Sequence, residues 1–136
     1  MQKKINSIKN EYYRIANKLK APKLYVQFAQ TPRHDGSPHI EYEGDELHYV
    51  ITERGSEYER RKTKDSDDIL FWLISDITFS MASDFELNNR IETEDFRIQL
   101  FSKDIELLSS INKDWAEKIR VKYNKLIPGK FESIES

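Results

Sequence analysis

The stretch from Asp65 to Arg90, DSDDILFWLISDITFSMASDFELNNR, limits this chain more than any other, because it reads as one long helix. Asp65 is placed to cap it. Ser66, Asp67 and Asp68 put short acceptors and negative charge on the first turn, where unpaired N–H groups and the helix dipole favour them. Ile69 to Ile74 is apolar without a break, which predicts burial on several sides, since a surface helix would keep only a stripe. Farther on, the apolar positions thin to a one-sided face of Ile77, Met81, Ala82, Phe85 and Leu87. At the usual helical rise this element would be about 40 Å long, close to the diameter of a compact domain of this size. The rest of the chain is expected to wrap it.

What can wrap it is bounded by length and composition. A chain of 136 residues supports one substantial core, so a single domain over residues 1–131 is expected, followed by a loose tail at 132–136. Charged residues make up 34%, yet seven Tyr, seven Phe and two Trp concentrate enough apolar area to fold. The absence of cysteine excludes a disulfide frame, thiolate metal ligands and a Cys nucleophile. The start, MQKKINSIKNEYYRIANKLK, is charged where a signal sequence needs its apolar segment, and no run approaches a membrane span. A cytoplasmic protein is expected.

Before the long helix, Ile5, Ile8, Tyr12, Ile15 and Leu19 recur at helical spacing, giving an amphipathic helix ended by Ala21-Pro22, with a basic outer face. Leu24 to Gln30 alternates as a strand would, and Thr31 to Pro38 is dense in turn formers and reads as a loop. His39 to Glu43 and Glu46 to Glu53 read as a hairpin about Gly44-Asp45. Its register sets Tyr42 against Leu47, Ile40 against Tyr49, Glu41 against His48 and Glu43 against Glu46. The like charges of that last pair leave a four-residue turn open. These segments predict a three-stranded antiparallel meander with one apolar face, which the long helix would cover.

Glu53 to Thr63, ERGSEYERRKT, reads as a charged connector in which Gly55 supplies a conformation other residues resist. Its charges could hold an anion or work as acid and base. Alternatively they form ion pairs tying the sheet edge to the helix start, or to Glu86 and Arg90. After the long helix, a third is predicted over Glu92 to Ser110. A fourth is capped by Asn112, with Trp115, Ile119, Tyr123, Leu126 and Ile127 inward and Pro128-Gly129 stopping it. The fold class is therefore α+β: an N-terminal helix, the meander, then a long central helix with two further helices packed on it.

The chemistry-bearing inventory is thin. His34, His39 and His48 follow no metal-ligand spacing, and Asp35 to Ser37 is a turn before it is a nucleophile. No cofactor is implied, and a non-enzyme is the better reading. Charge order is more informative: Glu41 to Glu59 holds seven acids and one base, and Asp65 to Asp95 nine acids and one base. A segregated acidic surface steers a basic partner, such as a nuclease-type domain. The hairpin, through Glu41, Glu43, Asp45, Glu46 and His48, together with the exposed flank of the long helix, is the expected contact surface.

The same residues carry a resemblance. HDGSPHIEYEGDELHYVITERGSEYERRKT, then DDILFWLISDITFSMASDFELNNR, then ELLSSINKDW, resemble the Immunity protein 63 family of bacterial polymorphic-toxin immunity proteins, from about His34 to Trp115. The motif positions are Glu53, Arg54, Gly55, Glu57, Arg60, Thr63, Glu86 and Arg90. The resemblance implies a cytoplasmic antidote that binds and neutralises a cognate protein toxin without catalysis, its shared positions serving the scaffold. Two other classes stay open. A nucleic-acid-binding or regulatory module would use the basic first and last helices, and a small-ligand or enzymatic domain would gather Glu53, Arg54, Glu57 and Arg60 about a closed pocket.

Overall fold

The computed structural model describes residues 1–131; the segment 132–136, read above as a loose tail, lies outside the described residues. The chain divides into two compact units, Met1–Ile74 and Ser75–Ser136. In order, the elements are α1 (Gln2–Lys18), a 3-10 turn (Lys23–Tyr25), β1 (Asp35–Glu43), β2 (Glu46–Glu53), β3 (Ser56–Thr63), α2 (Ser66–Asn88), α3 (Phe96–Ser109) and α4 (Lys113–Leu126). The α+β class and the single antiparallel sheet, ordered β1-β2-β3, agree with the expectation.

In the first unit α1 buries Ile5, Ile8, Tyr12 and Ile15, the predicted stripe. It ends in a Schellman arrangement: Lys20 adopts φ +55, its N–H donates to the Asn17 carbonyl, and the Ala21 N–H donates to that of Ala16. The expected strand over Leu24 to Gln30 does not form. Lys23–Tyr25 turns instead, leaving Leu24 80% exposed, and only one backbone bond, from the Ile40 N–H to the Ala29 carbonyl, joins the segment to β1. Tyr12 pins it from the other side, with its hydroxyl accepting from the Gln27 N–H at 3.0 Å and its ring 5.8 Å from Phe28.

The third strand is the charged stretch that reads as a connector. Arg54 (φ +51) and Gly55 (φ +81) form the turn, both left-handed as a type I′ turn requires, and SEYERRKT pairs with β2 from Ser56 to Thr63. The sequence hides this strand because its inward residues are arginines. The Arg61 guanidinium carbon lies 4.7 Å from the Tyr49 ring centre and 5.5 Å from that of Trp72, and the two rings meet edge-on at 6.0 Å. A cation over an aromatic face contributes about 0.5–2 kcal/mol as desolvation grows. Arg61 thereby does the work expected of an apolar residue. The sheet is also not one-sided: in the middle strand Leu47, His48, Tyr49 and Val50 are all buried, so both faces are covered.

The first part of α2 belongs to this unit. Asp65 caps it as expected, accepting from the Asp67 N–H at 2.9 Å, and Trp72 reaches Tyr49 while Ile69, Leu73 and Ile74 are buried. In the second unit, the later turns of α2 bury Ile77, Thr78, Ala82 and Glu86, while Leu87, placed inward by the sequence reading, is 64% exposed. Positions four apart face inward, and at Glu86 that position is a carboxylate paired with Arg90.

Helix α3 starts at Phe96 rather than Glu92, because the Asp95 side chain accepts from the Arg97 N–H and caps there. It lies along the end of α2: Gln99 donates to the Asn89 carbonyl at 2.9 Å, and Lys103 lies 4.6 Å from the Phe85 ring. Asn112 caps α4 by accepting from the Asp114 and Trp115 N–H groups. Trp115, Ile119 and Tyr123 are buried as expected, but Leu126 is exposed at the helix end. Phe101 and Tyr123 stack at 3.7 Å, with Phe131 packed beside both rings.

The Tyr123 hydroxyl donates to Asp104 Oδ2 at 2.5 Å, while Asp104 Oδ1 and Ser75 Oγ are buried without partners among the described residues. Burial pushes the Asp104 carboxyl above the ordinary carboxylate range against the pull of Thr78 and Tyr123. The Tyr123 hydroxyl is pushed up by burial and by Asp104. A raised folded value means that Asp104 contributes stability below the unfolded value of about 3.9 and loses it as pH rises through the folded one. Asp104→Asn keeps an acceptor for Tyr123 without the charge. Thermal melts between about pH 4 and pH 8 should therefore shift in favour of the variant as pH rises; parallel pH profiles would show that Asp104 is not the titrating group.

Candidate functional site

The β1–β2 hairpin is the most acidic projection of the first unit. Gly44 (φ +61) is its left-handed residue, as a two-residue type II′ turn demands, and this closes the tighter of the two turns the sequence allowed. The register matches the reading throughout: Tyr42 against Leu47, Glu41 against His48, Glu43 against Glu46. Glu43 and Asp45 are exposed at the tip, Glu41 and Glu46 half-buried. Asp45 meets Lys64 at 3.5 Å in a pair open to solvent on both sides, worth little against screening.

His48, the fifth candidate, is only 3% exposed and offers a partner nothing directly. It belongs to a polar ladder running across all three strands on one face. Arg60 is its hub. Its Nη1 donates to Glu41 Oε1 at 3.1 Å and to His48 Nδ1 at 2.5 Å, and its Nη2 donates to Glu57 Oε1 at 2.7 Å. An arginine has no acceptor to offer, so His48 Nδ1 carries the lone pair and its Nε2–H donates to Glu46 Oε1 at 2.9 Å. His39, wholly buried, approaches the other oxygen of Glu41 with Nε2 at 2.5 Å, leaving its Nδ1 buried and unpartnered.

Hydrogen bonding from His39, assisted by Arg60, holds the Glu41 carboxyl below the ordinary range against partial desolvation. Arg60 does the same for Glu57. The ladder aims the hairpin acids: Glu41 and Glu46 are each gripped by a buried imidazole, while Glu43 and Asp45 extend past them.

The remaining motif positions divide by task. Glu53 closes the end of β2, and Arg54 and Gly55 make the turn into β3. Thr63 locks the end of β3 to the helix start, its hydroxyl donating to Asp68 Oδ2 at 2.7 Å and accepting from the Asp65 N–H at 3.0 Å. Glu86, 2% exposed, takes both Arg90 donors, at 2.8 and 3.0 Å, and this pairing lowers its carboxyl pKa. The structure thus brings Glu57 and Arg60 together with the hairpin residues Glu41, Glu46 and His48. Arg54 stands outside that network.

Sequence reasoning missed His39, which looks like an ordinary strand residue until its burial is known, and Tyr58, the extra residue of a bulge in β3. A cleft of about 550 Å3 runs along α1, lined by Asn10, Tyr13, Arg14, Asn17, Lys23 and neighbours, and a smaller one lies by Ser102 and Phe131. The lining of neither includes the hairpin or ladder residues. No helix among the described residues is long and apolar enough to cross a membrane.

Comparison with known proteins adds one finding. The family model described as Immunity protein 63 matches residues 43–125, more than half of the chain. The chain belongs to the Immunity protein 63 family. No curated protein and no solved structure matches it. The matched span begins at the tip of the hairpin and runs through most of α4, so it takes in β2, β3 and the three helices that follow. Membership in the Immunity protein 63 family implies an immunity role and a toxin partner.

The ladder has a pH signature. Because Glu41 is held below its ordinary range, its contribution is present above the unfolded value of about 4.3 and is lost as pH falls through the folded one. Glu41→Gln should cost about 1 kcal/mol at neutral pH, the value for charge-assisted bonds discounted for solvent exposure. The difference from wild type should close in acid. Chemical denaturation at about pH 7 and about pH 3 reads this directly; a gap of equal size at both would show that the carboxylate charge is not what the ladder uses.

Proposed function

We propose that this Immunity protein 63 family member is a cytoplasmic antidote of a bacterial polymorphic-toxin system, binding its cognate toxin and blocking it stoichiometrically, without catalysis. Residues 1–131 act as one immunity-type domain. The toxin meets the β1–β2 hairpin through Glu43 and Asp45 at the tip and Glu41 and Glu46 behind them, with His48 positioning Glu46 from beneath. Family membership supports the role. One geometric observation supports the location: four carboxylates lie within the six residues Glu41 to Glu46 of a hairpin whose tip is exposed and whose inner acids are held in place by buried partners. Such a surface suits a toxin with a basic working face, as in nuclease-type domains, where complementary charge accelerates encounter and fixes orientation.

The motif positions Glu53, Gly55, Glu57, Arg60, Thr63, Glu86 and Arg90 serve the scaffold, since each is spent on a turn, a ladder or a helix junction. Recognition of one toxin then rests on residues that the scaffold leaves free. The test takes as its probe the C-terminal domain of the product of the reading frame immediately upstream of this chain's gene. Wild type should co-purify with it and protect cells expressing it. Reversing Glu43, Asp45 and Glu46 to Lys should weaken the complex at least tenfold, chiefly through the association rate, and flatten its salt dependence, about 1.4 kcal/mol or more. Unchanged affinity and salt slope would remove the hairpin from the interface.

A further inference from the structure

The opposite end of the same sheet is irregular in a way the scaffold does not use. Arg54 holds φ +51 at the first central position of a type I′ turn, where glycine, asparagine or aspartate sit without strain and other side chains cost stability. The conformation is locked rather than incidental. The Arg54 N–H donates to the His34 carbonyl at 3.1 Å, His34 itself has φ +60, and the His34 N–H donates to Thr52 Oγ1 at 3.0 Å. Yet the Arg54 guanidinium has no hydrogen bond or ion pair among the described residues, whereas Arg60, Arg61, Arg90 and Arg97 are all paired.

Both edge strands bulge at this end. β1 carries an extra residue between Asp35 and Pro38, with Gly36 at φ +86, and β3 carries Tyr58 as the extra residue between Glu57 and Glu59. The second bulge leaves Tyr58 69% exposed, with no hydrogen bond from its hydroxyl among the described residues. Bulges re-aim side chains at sheet edges. At this end an arginine without a partner among the described residues sits in the turn, which the hydrogen bonds of Arg54, His34 and Thr52 brace, and an exposed tyrosine stands four residues on, at the bulge of β3. Arginine and tyrosine are the residue types that most often anchor protein interfaces, and bracing lowers the ordering cost of binding.

We infer that Arg54 and Tyr58 form a second anchor for the toxin, Arg54 receiving a carboxylate side chain of the toxin surface and Tyr58 packing on apolar surface beside it. The eight residues of β2 separate this anchor from the acidic hairpin by about 25 Å, within the span of one ordinary protein interface. The toxin would thus be held by opposite charges at the two ends of one sheet, which fixes its direction as well as its position. The inference rests on the immunity reading above.

The test measures binding of the same toxin domain, with thermal melts run in parallel. Arg54→Asn creates Asn-Gly, the dipeptide this turn prefers, so its Tm should equal or exceed that of wild type. Its toxin affinity should nonetheless fall about tenfold. Arg54→Lys keeps the charge without the planar fork and should fall between. Tyr58→Ser should weaken binding several-fold at unchanged Tm. If Arg54→Asn binds as wild type does, Arg54 is a turn residue only and the inference is overturned, while loss of binding on hairpin reversal would still stand for the first surface. A lower Tm for Arg54→Asn would equally overturn it, by making the arginine a fold residue. Failure of wild type to bind would remove the immunity reading, and this one with it.

Discussion

Two adjacent arginines on β3 tie that strand into the first unit from both sides, because neighbouring residues of a strand point to opposite faces of its sheet. Arg61 turns inward against Tyr49 and Trp72, closing the contact between the sheet and the start of α2. Arg60 turns the other way and gathers Glu41, Glu57 and His48 from all three strands. A strand with almost no apolar residues can complete a sheet only if its charges are satisfied where they lie. This pair does so on both faces, and the hairpin acids inherit their positions from it.

The second unit meets a similar demand differently. Its helices bury the apolar faces of α3 and α4 around the Phe101–Tyr123 stack, but they also enclose Asp104, Thr78 and Ser75, with two polar atoms left unpartnered. An unpaired buried polar atom costs on the order of 1–3 kcal/mol, so this cluster draws on the stability that the aromatic packing supplies. Glu86 shows the contrasting solution, a buried carboxylate satisfied by both donors of one arginine. The two acids sit in one helical unit, and for that reason the Glu86 carboxyl is held below the ordinary range and the Asp104 carboxyl above it.

A division of labour follows. Residues of the ERGxExxR stretch make a turn, a ladder and a bulge, while the tips at either end of the sheet carry side chains that the interior does not claim. For a protein that must grip a partner, a scaffold that consumes its own charges internally leaves the exposed ones available. Glu43, beyond the grip of His48, and Arg54, which has no ion pair among the described residues, are two outcomes of that economy.

Much of this was legible in the residues, and the exceptions share a cause. Asp65 and Asn112 announced their helices through local capping, the hairpin register followed from Gly44 and the alternation around it, and the buried stripe of α1 followed from its period, since each is settled within a few residues of chain. The third strand was not legible: SEYERRKT has no apolar alternation, and only the tertiary contact with Tyr49 and Trp72 shows Arg61 packing its half-buried side chain on the sheet. The strand expected at Leu24 to Gln30 failed the opposite way, its alternation overridden when the turn after Pro22 carried Leu24 outward. The chain alone therefore determined helices, caps, tight turns and the surplus of acid in the hairpin, because those are local. Which charges became scaffold and which stayed free was decided only when strands distant in sequence met, because an ion pair forms between neighbours in space and leaves no periodic trace along the chain.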